Sequence, residues 1–115
     1  LTGADITVFG NGNQTRSFCY VDDLIDGILA FDACGPVATP FNLGNPHEVS
    51  VLELAELICR YTKSNSRIVL KPLPMDDPTK RQPDIGKIQK LTGWSPKVTL
   101  EDGLKETIKY FQRVV

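Results

Sequence analysis

The chain has 115 residues, 41% of them hydrophobic, with 13 Lys and Arg against 14 Asp and Glu. That size and balance describe one globular domain or a piece of one, and exclude a disordered or fibrous chain. A net charge of −1 offers no field for nucleic acid or an anionic membrane, and no window approaches the ~20 apolar residues of a membrane span.

The opening Leu1-Thr2-Gly3-Ala4-Asp5 has neither an initiator Met nor the basic and apolar regions of a signal peptide. The chain is therefore expected to be a segment of something longer. Residues 5–9 (Asp-Ile-Thr-Val-Phe) read as a strand, being β-branched and aromatic. Gly10-Asn11-Gly12-Asn13 is a turn cluster, and residues 15–21 read as a second strand, so the two predict a hairpin. Gly10 and Gly12 do not make a dinucleotide fingerprint. Thr15 stands where a third glycine belongs, and a strand rather than a helix is predicted next.

Asp22 and Asp23 open a helix, where the macrodipole favours carboxylates, and Leu24, Gly27, Ile28 and Phe31 form its apolar face. Phe41-Asn42-Leu43-Gly44, between Pro40 and Pro46, reads as a buried strand, and His47 as a loop residue. Ser50 and Glu53 have capping-box spacing, so a helix is predicted from there to about Lys63. Its stripe is Val51, Leu54, Ala55 and Ile58. Residues 67–71 predict a strand closed by Pro72 and Pro74. Ile85, Ile88 and Leu91 suggest a short helix stopped at Gly93, with Trp94 in the core. Thr99 is placed to cap a last helix carrying Leu104, Ile108 and Phe111 on one face. The alternation of elements points to an α/β or α+β-like fragment.

Cys19, Cys34 and Cys59 are odd in number and fit no C-x-x-C spacing; with a single histidine they supply no metal-ligand set. Their apolar surroundings predict buried, unreactive thiols in a reducing, cytoplasmic compartment.

The loop 76–85, Asp76-Asp77-Pro78-Thr79-Lys80-Arg81-Gln82-Pro83-Asp84-Ile85, is the densest cluster of function-capable groups. Its prolines bar a helix interior or a central strand. Arg81 could grip a phosphate and Asp84 a sugar hydroxyl, since one offers a fork of donors and the other accepts. Equally, Asp84 could cap the next helix while Arg81 is a solvated charge.

The order of the motifs carries more than any one of them. Val8-Phe9-Gly10-x-Gly12-x-Gln14-Thr15-Arg16-Ser17-Phe18-x-Tyr20-Val21-x-Asp23-Leu24 comes first, followed by Phe41-Asn42-Leu43-Gly44-Asn45-Pro46. Asp76-Asp77-Pro78-x-x-Arg81-x-Pro83-Asp84-Ile85 and Gly93-Trp94-x-Pro96 complete the set. In register over nearly the whole chain, they resemble the C-terminal part of the extended short-chain dehydrogenase/reductase family, the nucleotide-sugar epimerases, dehydratases and decarboxylases. The particular motif forms are most similar to the UDP-glucuronate decarboxylase branch. The dTDP-glucose 4,6-dehydratase and UDP-glucose 4-epimerase branches share the scaffold.

The resemblance implies a UDP-sugar-binding segment over residues 1–115 whose parent binds NAD in a separate Rossmann half and forms a homodimer through it. It implies diphosphate contacts for Arg16 and Arg81, ribose contacts for Asp84, and a place near the uracil for Phe9. The family's G-x-x-G-x-x-G turn and Y-x-x-x-K pair are not among these residues; Leu24 follows Tyr20 at the lysine spacing, and Asn65 follows Tyr61. Alone, the chain is expected to be inactive, with no catalytic residue of its own. Phe41-Asn42-Leu43 and the Val51, Leu54 and Ile58 stripe are expected to be bare where such a half would pack. The rival class is a free-standing, non-catalytic binding or interaction module.

Overall fold

The computed structural model describes residues 1–115. Eight elements follow one another: β1 (Ile6–Phe9), β2 (Thr15–Ser17), α1 (Val21–Asp32), β3 (Glu48–Ser50), α2 (Val51–Thr62), β4 (Ile68–Lys71), α3 (Gly86–Thr92) and α4 (Leu100–Val114). This is the mixed α/β composition expected. The chain forms two compact units, one of Leu1–Arg16, Val49–Arg81 and Glu101–Val115, the other of Ser17–Glu48 and Gln82–Leu100.

In the first unit β1 pairs with β4 in parallel, from Ile6 opposite Ile68 to Phe9 opposite Lys71. The expected hairpin does not form. The strand predicted over 15–21 contracts to β2, which pairs with β3. The intervening turn is committed elsewhere. The buried Gln14 donates its Nε2 to the Phe9 carbonyl at 2.7 Å, folding the turn onto the end of β1. Gly12 sits at φ +78°, and a Cβ there would lie 2.7 Å from that of Leu52. The turn's carbonyls then serve α2, with Val51 N–H donating to Gln14 O at 3.0 Å and Leu52 N–H to Gly12 O at 3.1 Å. A helix start leaves such donors without intrahelical partners, and here the turn satisfies them.

The capping box of α2 forms as predicted. Glu53 N–H donates to Ser50 Oγ at 3.1 Å, and Ser50 N–H donates to Glu53 Oε2 at 3.2 Å. The helix closes at Lys63, left-handed at φ 52°. On α4, Lys105 Nζ stands 5.4 Å from the centre of the Tyr61 ring. Leu104 and Ile108 are half-buried, whereas Phe111, expected on the same buried face, is exposed.

The second unit is built on Ile85, Ile88 and Trp94, with Ala30, Phe31, Phe41 and Leu43 packed against them. The predicted strand over 41–44 is a loop instead. Pro40 and Pro46 flank it without N–H donors for a ladder. Gly44 is pressed so close to Pro83 that a Cβ would come within 3.0 Å of the ring. The α3 helix ends at Gly93, left-handed at φ 73°, as its sequence predicts.

Trp94 is 9% exposed and donates its indole N–H to the Asp23 carbonyl at 3.0 Å. The Asp23 side chain, in the residue only 4% exposed, accepts the backbone N–H groups of Lys97 at 3.0 Å and Val98 at 2.8 Å through one oxygen. The Asp23 carboxylate thus stands in the first turn of α1, as expected, and is also a buried clasp on the segment after α3.

Gly27 lets α1 approach the Trp94 ring: a Cβ would meet Trp94 Cε2 at 2.8 Å and Leu43 Cδ2 at 3.0 Å. Gly27→Ala is expected to destabilise by about 1–3 kcal/mol through overpacking, despite a helix-propensity gain of about 1 kcal/mol. Denaturant titration checks it, and an Ala variant as stable as the parent would contradict this packing.

The apolar surface lies elsewhere than expected. Val51, Leu54 and Ile58 are half-buried, and Phe41 and Leu43 pack on the core. Val21, Ile25, Ile28 and Leu29, on one side of α1, are exposed instead; Ile28 therefore leaves the face assigned to it. No cysteine is fully buried: Cys19 and Cys59 are half-buried and Cys34 is exposed. Partial burial, and then the Asp23 carboxylate, push the Cys19 thiol up, which keeps it protonated and a poor nucleophile at neutral pH. No helix is long and apolar enough to cross a membrane.

Candidate functional site

The loop after β4 returns to the strand that follows the glycine turn. Asp77 N–H donates to Pro74 O at 3.3 Å, closing a tight turn in which Asp76 takes a left-handed φ of 74°. Thr15 N–H then donates to Thr79 O at 2.9 Å, and Thr15 and Lys80 form a parallel bridge. Arg16 and Arg81 each lie one residue beyond that bridge. The bridge thus joins the segments that carry two arginines 65 positions apart in the sequence.

Arg16 is held at two points: Nη1 donates to the Thr15 carbonyl at 2.7 Å and Nη2 to Asp77 Oδ1 at 3.0 Å. Arg81 is exposed. Two guanidiniums suit a diphosphate, because each planar fork matches phosphate oxygens and the two charges match its two negative centres. Phe9 ends β1 with 45% of its surface exposed, so it is not the core residue a strand aromatic commonly is.

Asp84 belongs to the second unit, where it lines a shallow cleft of about 450 Å³ with Pro46, Gln82, Gly86 and Gln89. Its Oδ1 accepts the Gly86 N–H at 2.9 Å, so it does hold the first turn of α3. A carboxylate accepts more than one bond, and the exposed side chain can serve a sugar hydroxyl as well. Gln82 fastens the cleft by donating Nε2 to Pro46 O at 2.9 Å.

Sequence reasoning did not assign the roles of Asp77 and Asp23. A contact between Asp77 and Arg16 spans 61 positions and leaves no local pattern. The Gly10-Asn11-Gly12-Asn13 turn leads into β2 and is closed over by Leu52. These residues do not fit a dinucleotide, whose pyrophosphate takes a glycine turn opening a helix.

The mixed α/β fold, with β1 and β4 paired in parallel, is that of the extended short-chain dehydrogenase class. The chain belongs to the GDP-mannose 4,6 dehydratase family, whose model matches residues 1–107. It is 47% identical over 113 residues to UDP-glucuronic acid decarboxylase 1 of Danio rerio, covering 98% of this chain and 27% of that protein. It is 46% identical over 110 residues to UDP-glucuronic acid decarboxylase 4 of Arabidopsis thaliana, covering 96% and 25%. The chain thus spans about a quarter of the length of these relatives.

Among solved structures it is similar to UDP-glucose 4-epimerase with UDP-glucose from Thermotoga maritima, with a TM-score of 0.88 and 34% identity. That match covers 97% of this chain and 36% of the epimerase. The UDP-glucuronic acid 4-epimerase of Bacillus cereus, in complex with UDP-glucuronic acid and NAD, also gives a TM-score of 0.88, at 27% identity. There 96% of this chain and 36% of the other are covered.

Proposed function

We propose that this chain is the UDP-sugar-gripping segment of an NAD-dependent UDP-glucuronate decarboxylase, a lyase. The observation that supports the reading is the Thr15–Lys80 bridge, which joins the segments carrying Arg16 and Arg81. The two guanidiniums take the diphosphate, Asp84 accepts from ribose hydroxyls, and the exposed Phe9 ring covers the uracil. Their work is positioning: they fix the nucleotide so that the sugar is presented to chemistry performed by other residues. The cofactor-binding segment, in which the hydride chemistry resides, is not among these 115 residues.

Decarboxylation is favoured over epimerisation by the identities, 47% to a decarboxylase against 34% to an epimerase. Calorimetric titration of the 115-residue chain tests the reading. UDP is expected to bind, NAD is expected not to, and UDP-glucuronate is expected to release no carbon dioxide. Absence of UDP binding would overturn the assignment of the grip. Carbon dioxide release by the pure chain would overturn the division of labour.

A further inference from the structure

We propose that Asp77 is an internal competitor for Arg16, a carboxylate that the diphosphate must displace and that thereby sets nucleotide affinity and selects for the doubly charged ligand. This rests on the reading of Arg16 as a diphosphate contact. The guanidinium meets Asp77 from Nη2 to Oδ1 at 3.0 Å, with the two side chains 21% and 32% exposed. A carboxylate in that position presents an oxygen where a phosphate oxygen would sit, and its charge cancels the one that attracts phosphate.

Two features make the contact easy to give up. A solvent-reached ion pair of this kind is worth little, because water and salt screen it. The turn that delivers Asp77 is closed by a long hydrogen bond, 3.3 Å from Asp77 N–H to Pro74 O, beside a left-handed Asp76. Aspartate enters that conformation more readily than most non-glycine residues, so backbone preference does not lock the turn. Arg16 keeps its second anchor, the Thr15 carbonyl at 2.7 Å, and so stays aimed when Asp77 leaves. A ligand with one weak charge gains little from the exchange, whereas a diphosphate gains two guanidiniums.

A double-mutant cycle in the 115-residue chain tests this, with UDP and uridine as titrants. Asp77→Asn is expected to tighten UDP about three- to tenfold and to leave uridine unchanged. In an Arg16→Ala background the same substitution is expected to have no effect on UDP. Melting curves confirm that each variant is folded. If Arg16→Ala weakens UDP but Asp77→Asn leaves it equal or weaker, Asp77 orients Arg16 rather than competing for it. The inference then falls while the grip stands. If UDP does not bind, or Arg16→Ala binds it undiminished, the grip itself fails and takes this inference with it.

Discussion

Asp23→Ala is expected to lower the unfolding free energy by about 2–4 kcal/mol, the cost of leaving buried donors without an acceptor and losing charge-assisted bonds. One oxygen of Asp23 accepts from both Lys97 and Val98, at 3.0 and 2.8 Å, and the residue is 4% exposed. Alanine removes that acceptor and opens a hole at the place where Trp94 also donates to the Asp23 carbonyl. Asp23→Asn keeps an oxygen in the same position and loses only the charge, so about 1 kcal/mol is expected. Urea titration measures both. Equal stability of the Ala variant and the parent would show that the clasp contributes nothing. A second readout is independent of stability: the Asp23 charge is one of two causes raising the Cys19 thiol, after burial. Asp23→Asn therefore lowers the Cys19 pKa, and alkylation of that thiol accelerates at a lower pH.

Arg81→Ala is expected to weaken UDP binding by about 2–5 kcal/mol, the range for truncating one partner of a desolvated, charge-assisted contact. Arg81→Lys is expected to recover only part of the loss, since an ammonium keeps the charge but not the planar fork. Asp84→Asn costs less, because a hydrogen bond to a neutral hydroxyl is replaced by a weaker one. Its effect shrinks with a nucleotide lacking the ribose hydroxyls. In a protein that also carries a cofactor-binding half, NAD affinity is expected to be unchanged by all three. Calorimetry separates the alternatives. If Arg81→Ala binds UDP as tightly as the parent chain, the loop is only a solvated connection.

The two arginines illustrate how far the sequence can be read. The motifs single out Arg16 and Arg81, yet nothing local states that their segments meet. That follows from the return of the loop to Thr15, with Thr79 accepting its N–H at 2.9 Å. Asp84 shows the opposite case: its residue-level alternatives were a helix cap or a sugar contact, and the cap contact is formed at 2.9 Å. A carboxylate with several acceptor sites can do both.

Short-range chemistry decides what is legible in the residues alone. The Ser50 and Glu53 box starts α2 because each side chain reaches the other's backbone within one turn. Gly93 stops α3 because a glycine enters the left-handed region without a Cβ clash. Trp94 lies in the core because its area is too large to leave in water. The tertiary structure decided which strands pair, since strand propensity names no partner. β1 took β4, from Ile6 opposite Ile68 onward, after the glycine turn's carbonyls had been given to α2. It made a loop of residues 41–44 by wedging Gly44 against Pro83 and Phe41 against Phe31, whose rings are 5.0 Å apart. It also gave Asp23, a charge in the first turn of α1, a further role as a clasp on Lys97 and Val98, and set Asp77 against Arg16. Such contacts join residues from 10 to 75 positions apart, and hydrogen-bonding groups buried by packing must find partners wherever the fold has put them.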